Sequence, residues 1–223
     1  MASEMTLIVS DERENHRRRI KSSTEKAEKY RHRRSGKHHA EMALIRRAMA
    51  HVSDVETILD VPCGVGRAAI QLARMGFAAT GADLGDGAVS LARMEVAAAQ
   101  VPVVIDQEDL VRTSYRSRQF DAVLCFRFFH HLPTPAFREE IARELCRVSG
   151  KYVLISYLSP WSPTSLKRWL RRSLGVGRPS VQQVTPLAEL QAYFAAHGFS
   201  LVRDLAQTPL LHSLHLAVFR RNA

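Results

Sequence analysis

Ile58-Leu59-Asp60-Val61-Pro62-Cys63-Gly64-Val65-Gly66-Arg67 closes a short apolar, β-branched run and opens a helical pattern through two glycines. Glycine adopts backbone conformations closed to other residues and lets the main chain come close to a ligand. Free N–H groups at the start of the following helix then face an anionic or polar ligand group. Thr57–Val61 reads as a strand, Arg67–Met75 as an amphipathic helix and Phe77–Ala82 as a second strand, a βαβ unit whose strands run parallel.

Gly64-Val65-Gly66-Arg67-Ala68-Ala69 also fits the dinucleotide pattern GxGxxA, so the glycines alone leave a nicotinamide enzyme open. Asp60 stands where a diphosphate would otherwise lie. A carboxylate there suits a cationic, phosphate-free ligand such as a sulfonium amino acid; the alternative is a loop carboxylate bonding backbone amides. Asp83 closes the second strand in Thr80-Gly81-Ala82-Asp83-Leu84. It either accepts both hydroxyls of a ribose or caps a helix beginning near Gly85.

The alternation continues outward from this unit. A helix is expected near Ala88–Ala99, strands at Val103–Ile105 and Phe120–Phe126, a helix at Pro135–Val148 with proline in its first turn, and a strand at Tyr152–Ser156. Thr185 and Pro186 read as the N-cap and first position of a helix ending at Gly198, followed by strands near Phe199–Leu205 and His212–Phe219. The connection between those two is too short for a parallel crossover, so they pair antiparallel. Upstream, Ser22 with Glu25 suggests a capping box for a helix interrupted at Ser35-Gly36, and Ala40, Ala43, Leu44, Ala48 and Met49 repeat at helical spacing in a second one.

Taken together, the sequence resembles the class I S-adenosylmethionine-dependent methyltransferases, in the branch with an LDxxCGxG first motif (Leu59 to Gly66) and an FDxVxxxxxxHHL fourth motif (Phe120 to Leu132). The likeness covers about residues 55–220. It implies an α/β fold: a Rossmann-like, seven-stranded, mostly parallel sheet with helices on both faces and an antiparallel C-terminal strand. It also implies S-adenosylmethionine as cofactor. Asp60, Gly64 and Gly66 would hold the methionine part, Asp83 the ribose, and Leu84 would pack beside the adenine, with Asp106 and Gln107 at the adenine-contacting third motif. Pro62 stands where many members have the first glycine. Phe126 and Arg127 are bulky where small or amide residues are common, which makes the pocket near the methionine amino group unusual.

Open α/β sheets carry their active sites beyond the carboxyl ends of the strands, which is where Phe126 and the two histidines fall. His130 and His131 are the obvious base candidates, since imidazole titrates near neutrality. A buried histidine bonded to backbone is the competing reading for either. Methyl transfer from a sulfonium needs mainly proximity and in-line alignment, with a base only where the acceptor is protonated. No Cys/His spacing suits a metal, and Cys63, Cys125 and Cys146 read as reduced packing thiols.

The 223 residues carry a formal net charge of +10. Residues 11–47 hold thirteen Lys/Arg against six acids. The chain divides into a basic helical segment, 1–52, packing on or capping the domain, and a cofactor-binding domain, 53–223, with a basic amphipathic insertion at 158–180. In related enzymes an aromatic and a basic residue of the N-terminal region close the pocket, so Tyr30 and Arg34 are candidates. The insertion mixes Trp161, Leu166, Trp169, Leu170 and Leu174 with Lys167, Arg168, Arg171 and Arg172. Such a helix covers an active site, lies on an anionic membrane surface, or simply packs its apolar face on the core.

Three functions follow: methyl transfer to a small-molecule, lipid or glycolipid acceptor; methylation of RNA or another nucleic acid held by the basic N-terminus; or a non-catalytic anion-binding regulator on this fold. The basic run carries a single interleaved tyrosine, Tyr30, and no Asn-Pro-Pro-Tyr motif is present, which places nucleic acid second. With no bilayer-length apolar run and no signal-peptide pattern, the expected location is the cytoplasm, with peripheral attachment to a membrane's inner face as the variant.

Overall fold

The computed structural model describes residues 35–160, 182–208 and 213–223. In chain order it contains α1 (Ser35–Met49), β1 (Thr57–Asp60), α2 (Arg67–Arg74), β2 (Ala78–Asp83), α3 (Asp86–Ala99), β3 (Val104–Gln107) and β4 (Phe120–Cys125). A single 3-10 turn (Phe129–His131), α4 (Pro135–Val148), β5 (Ser149–Leu158), α5 (Leu187–Ala195), β6 (Phe199–Ala206) and β7 (Leu214–Arg221) follow.

The seven strands form one sheet in the order β3-β2-β1-β4-β5-β7-β6. Pairing is parallel from β3 through β5, with Asp60 opposite both Gly81 of β2 and Leu124 of β4. Strand β7 runs antiparallel to β5 on one side and to β6 on the other, as the short connection requires. That connection leaves and re-enters the sheet at one rim: the Gln207 amide bonds the Leu214 carbonyl at 2.9 Å and the Ser159 amide the Ser213 carbonyl at 2.8 Å.

Both sheet faces are covered, which is why β1 and β5 read as unbroken apolar runs rather than alternating ones. One face buries Leu59, Val123, Ile155 and Phe219 against Phe137, Ile141 and Leu145 of α4 and Leu190 and Phe194 of α5. The other buries Ile58, Leu124, Leu154 and Leu216 against Leu72 of α2 and Leu44, Ile45, Ala48 and Met49 of α1. Helix α4 starts where proline and a cap coincide: Thr134 Oγ1 accepts from the Phe137 amide at 3.4 Å, and Pro135 needs no partner for an N–H it lacks.

Several boundaries differ from expectation, among them β5, which extends beyond Tyr152–Ser156 at both ends. The expected upstream helix at 22–35 lies almost wholly outside the described residues, and α1 runs from Ser35. Helix α5 begins at Leu187 with Pro186 rather than Thr185 as its cap; the Thr185 amide donates to the Leu158 carbonyl at 2.9 Å. It stops at Ala195, before Gly198 takes a left-handed φ of 76° and turns the chain into β6.

Leu44 is wholly buried between α1 and the sheet. Leu44→Ala should cost about 2–5 kcal/mol in a urea titration, against less than about 0.5 kcal/mol for Arg46→Ala on the exposed side of the same helix.

Candidate cofactor cleft

At the carboxyl end of β1 the chain is pinned on both sides before it bends. The Val61 amide bonds the Leu124 carbonyl of β4 at 2.9 Å, and the Cys63 amide the Ala82 carbonyl of β2 at 2.7 Å. Between them Val61-Pro62 is cis. Gly64 and Gly66 then take φ of 57° and 79°, and Gly66 caps α2. A Cβ on Gly64 would meet nothing within 4 Å, so the bend borders open space there; one on Gly66 would press on Ala92 of α3 at 3.4 Å.

Asp60 lies beneath this bend and is 1% exposed. Its Oδ2 accepts from the Ala69 amide at 3.0 Å, in the first turn of α2. Burial outweighs that bond, and the nearby Asp83 carboxylate adds to it, so the Asp60 carboxyl is pushed up to about 8. A buried acid of this kind is mostly protonated at neutral pH, and a cation placed beside it restores the carboxylate. The amide-bonding role and the cation-holding role considered for Asp60 are therefore compatible.

Asp83 joins two turns. Its Oδ2 accepts from the Gly64 amide at 2.9 Å and its Oδ1 from the Gly85 amide at 3.0 Å, Gly85 being the cap of α3. Burial raises its pKa against the pull of these backbone bonds. Each carboxylate oxygen has a second lone pair, so these two backbone bonds do not exhaust the acceptors available to a pair of hydroxyls.

The third strand end closes the same side. Gln107 lies opposite Asp83 and Asp106 opposite Ala82. Gln107 Nε2 donates to the Leu84 carbonyl at 3.3 Å and also to Asp86. Asp106 Oδ2 accepts from the Tyr115 hydroxyl at 2.8 Å. Asp60, Asp83, Leu84, Asp106 and Gln107 thus lie along three neighbouring strand ends, with Gly64 and Gly66 between the first two acids.

Beyond β4, Phe126 packs on the core of the α1 face. Arg127 takes a left-handed φ of 60°, its amide bonding Ser156 Oγ at 2.5 Å and its guanidinium Glu41 Oε1 of α1 at 2.8 Å. The two histidines diverge in environment. His130 is 1% exposed, with its carbonyl accepting from the Gln183 amide at 2.8 Å, whereas His131 is exposed. Their rings lie 4.3 Å apart. Desolvation by the surrounding chain and then the Arg127 charge lower the His131 pKa. Of the two, His131 is the one open to an incoming acceptor.

The three cysteines are free and buried, and burial raises each thiol, with Cys146 pushed up to about 12, so none is a poised nucleophile. Tyr30, Arg34 and 161–181 lie outside the described residues. Among the described residues there is no cluster of three or more potential metal ligands, and no helix is long and apolar enough to cross a membrane. Sequence reasoning noted Arg127 only for its size and missed Glu41. The available signal was an acid at the head of the apolar stripe Met42-Ala43-Leu44-Ile45.

Residues 58–150 match a family model described as a methyltransferase domain. A ubiquinone biosynthesis O-methyltransferase of Serratia proteamaculans (strain 568) is 31% identical over 121 residues, 54% of this chain and 48% of that protein. One of the same name from Albidiferax ferrireducens is 36% identical over 106 residues, 47% of this chain and 42% of that protein. The chain thus spans about half or less of the length of these two curated relatives. Magnesium protoporphyrin IX methyltransferase from Synechocystis PCC 6803, solved with bound SAH, shares the fold: its TM-score is 0.68 over 82% of this chain and 83% of that one, at 17% identity. Residues 58–150 thus match a methyltransferase domain, on a fold shared with a methyltransferase solved with bound SAH.

Proposed function

We propose that this protein is an S-adenosylmethionine-dependent methyltransferase acting on a small-molecule or lipid-linked acceptor. The observation that carries the reading is the pair of buried carboxylates, Asp60 and Asp83, on either side of the glycine bend. A buried acid lifted to about 8 gains from a cation, which restores its carboxylate, and gains nothing of the kind from a diphosphate. The donor set therefore fits a ligand with a cationic amino-acid end and a diol, and disfavours a pyridine dinucleotide.

When bound, the cofactor supplies an electrophilic methyl group on a sulfonium. The protein's residues do the rest. Asp60, with the open backbone at Gly64 and Gly66, holds the amino-acid end; Asp83 accepts the ribose hydroxyls; Leu84, Asp106 and Gln107 border the adenine. Phe126 walls the methionine side. His131 receives the acceptor's proton where the acceptor is a hydroxyl, while buried His130 holds the 3-10 turn against Gln183. The names of the relatives, ubiquinone biosynthesis O-methyltransferases, favour an oxygen atom on a small molecule.

The formal charge of +10 favours an anionic acceptor or an anionic membrane surface bearing it. Nucleic acid is the alternative acceptor on the same ground, and a non-catalytic regulator is the third reading.

Incubation with methyl-labelled S-adenosylmethionine and fractionated cell extract distinguishes these: label in a lipid or metabolite fraction is expected, label in RNA would replace the reading, and cofactor binding with no label anywhere would point to the regulator. Calorimetry at pH 7 in buffers of different ionisation enthalpy should detect release of up to one proton per S-adenosylmethionine bound, because a cation beside Asp60 draws its pKa down from about 8. Asp60→Asn should abolish that release. The same group also sets a stability slope without ligand. A proton held to about 8 in the folded chain and released near 4 in the unfolded one makes stability fall as pH rises from about 4 to 8. Asp60→Asn should flatten that decline in thermal melts. Asp83→Ala should eliminate measurable cofactor binding and also cost about 1–3 kcal/mol, since it strands the Gly64 and Gly85 amides.

A further inference from the structure

Glu41 is a carboxylate on the N-terminal helix with 3% of its side chain exposed, and its partner Arg127 has 16% exposed. The guanidinium and carboxylate are 2.8 Å apart, the geometry of a charge-assisted bond. Arg127 is held from its backbone as well, by the 2.5 Å bond from its amide to Ser156 Oγ and by its left-handed φ. It therefore does not wander.

Its position makes its charge a problem. Leu124 of β4 pairs with Asp60 of β1, and Arg127 follows two residues after β4 ends at Cys125, so its backbone leaves the sheet at the rim where β1 also ends. This is the mouth of the cleft assigned above to a sulfonium. A fixed cation there opposes a cationic ligand, and the opposition is strongest where the surroundings are poor in water. Its field also contributes, after desolvation, to the depressed pKa of His131.

We propose that Glu41 is a positioning residue that cancels the Arg127 charge and draws its guanidinium toward α1, so that the cleft accepts a sulfonium rather than only its neutral thioether product. Resting on the cofactor reading above, this means that the buried acid of α1 sets the ratio of S-adenosylmethionine to S-adenosylhomocysteine affinity. The two ligands share every group except the methyl and its positive charge. Shape and hydrogen bonding affect both alike, and only charge separates them.

The test is calorimetric titration of the full chain with each ligand. In Glu41→Gln, S-adenosylmethionine should bind about 5- to 10-fold more weakly, with S-adenosylhomocysteine within about twofold of its original affinity. Adding Arg127→Met to Glu41→Gln removes the stranded cation and should restore the original ratio. Arg127→Met alone leaves a buried Glu41 that neutralises itself by taking up a proton, so the ratio should stay within about twofold of the original; Glu41→Ala, which strands Arg127 in the same way, serves if Glu41→Gln does not fold. Equal weakening of both ligands, or a ratio unchanged across the variants, overturns the proposal and leaves the cofactor reading standing. Failure of the unmodified chain to bind either ligand overturns both.

Discussion

A carboxyl group sealed from water and answering one main-chain amide is the constraint on which the rest depends. Asp60 fixes the first turn of α2 from below through Ala69. That fixes where the glycine bend opens, and Asp83 then fastens the far side of the bend to α3 through Gly64 and Gly85. Neither acid has a basic residue as its hydrogen-bond partner among the described residues. In a core this dry such acids normally neutralise themselves by taking up protons. The fold thus retains two groups that are costly to ionise, at the one place where a positively charged ligand would offset the penalty.

Packing elsewhere compensates for that penalty. Phe194 stacks on Phe219 at 4.3 Å on one face of the sheet, and α1 lays Leu44, Ile45 and Ala48 on the other. Away from the cleft, buried acids are paired. Glu144 of α4 accepts from Thr113 and from Arg147, and its pKa is lowered because those bonds outweigh burial. Glu144 is thus held charged by its partners, whereas burial raises the pKa of Asp60 and Asp83.

The βαβ unit and the strands that followed it were legible because their residue patterns are local. Pro135–Val148 was bounded correctly at both ends, by a proline at one and Ser149-Gly150 at the other. Asp60 and Asp83 were legible because each ends an apolar run. What could not be read was anything set by a contact distant in the chain. Glu41 meets Arg127 across 86 residues, and no local pattern announces it. Thr185 falls one residue short of the cap, its amide tied to the carbonyl of Leu158 at the end of a strand well before it in the chain. Asp83 appeared to face a choice between ribose and helix cap, because only the folded turn reveals that its two oxygens point at different amides. His130 and His131, identical on paper, were separated by burial alone.

Because β7 runs against β5 and β6, the connection that joins β6 to β7 meets the sheet at the same rim as the ends of β4 and β5, held at its base by Gln207 with Leu214 and by Ser159 with Ser213. Because both closing bonds lie at the strand ends, residues added or removed between Gln207 and Ser213 need not shift the ladder beneath them. On the function proposed above, the acceptor side of the sheet can therefore diverge while the Asp60 and Asp83 side stays as it is.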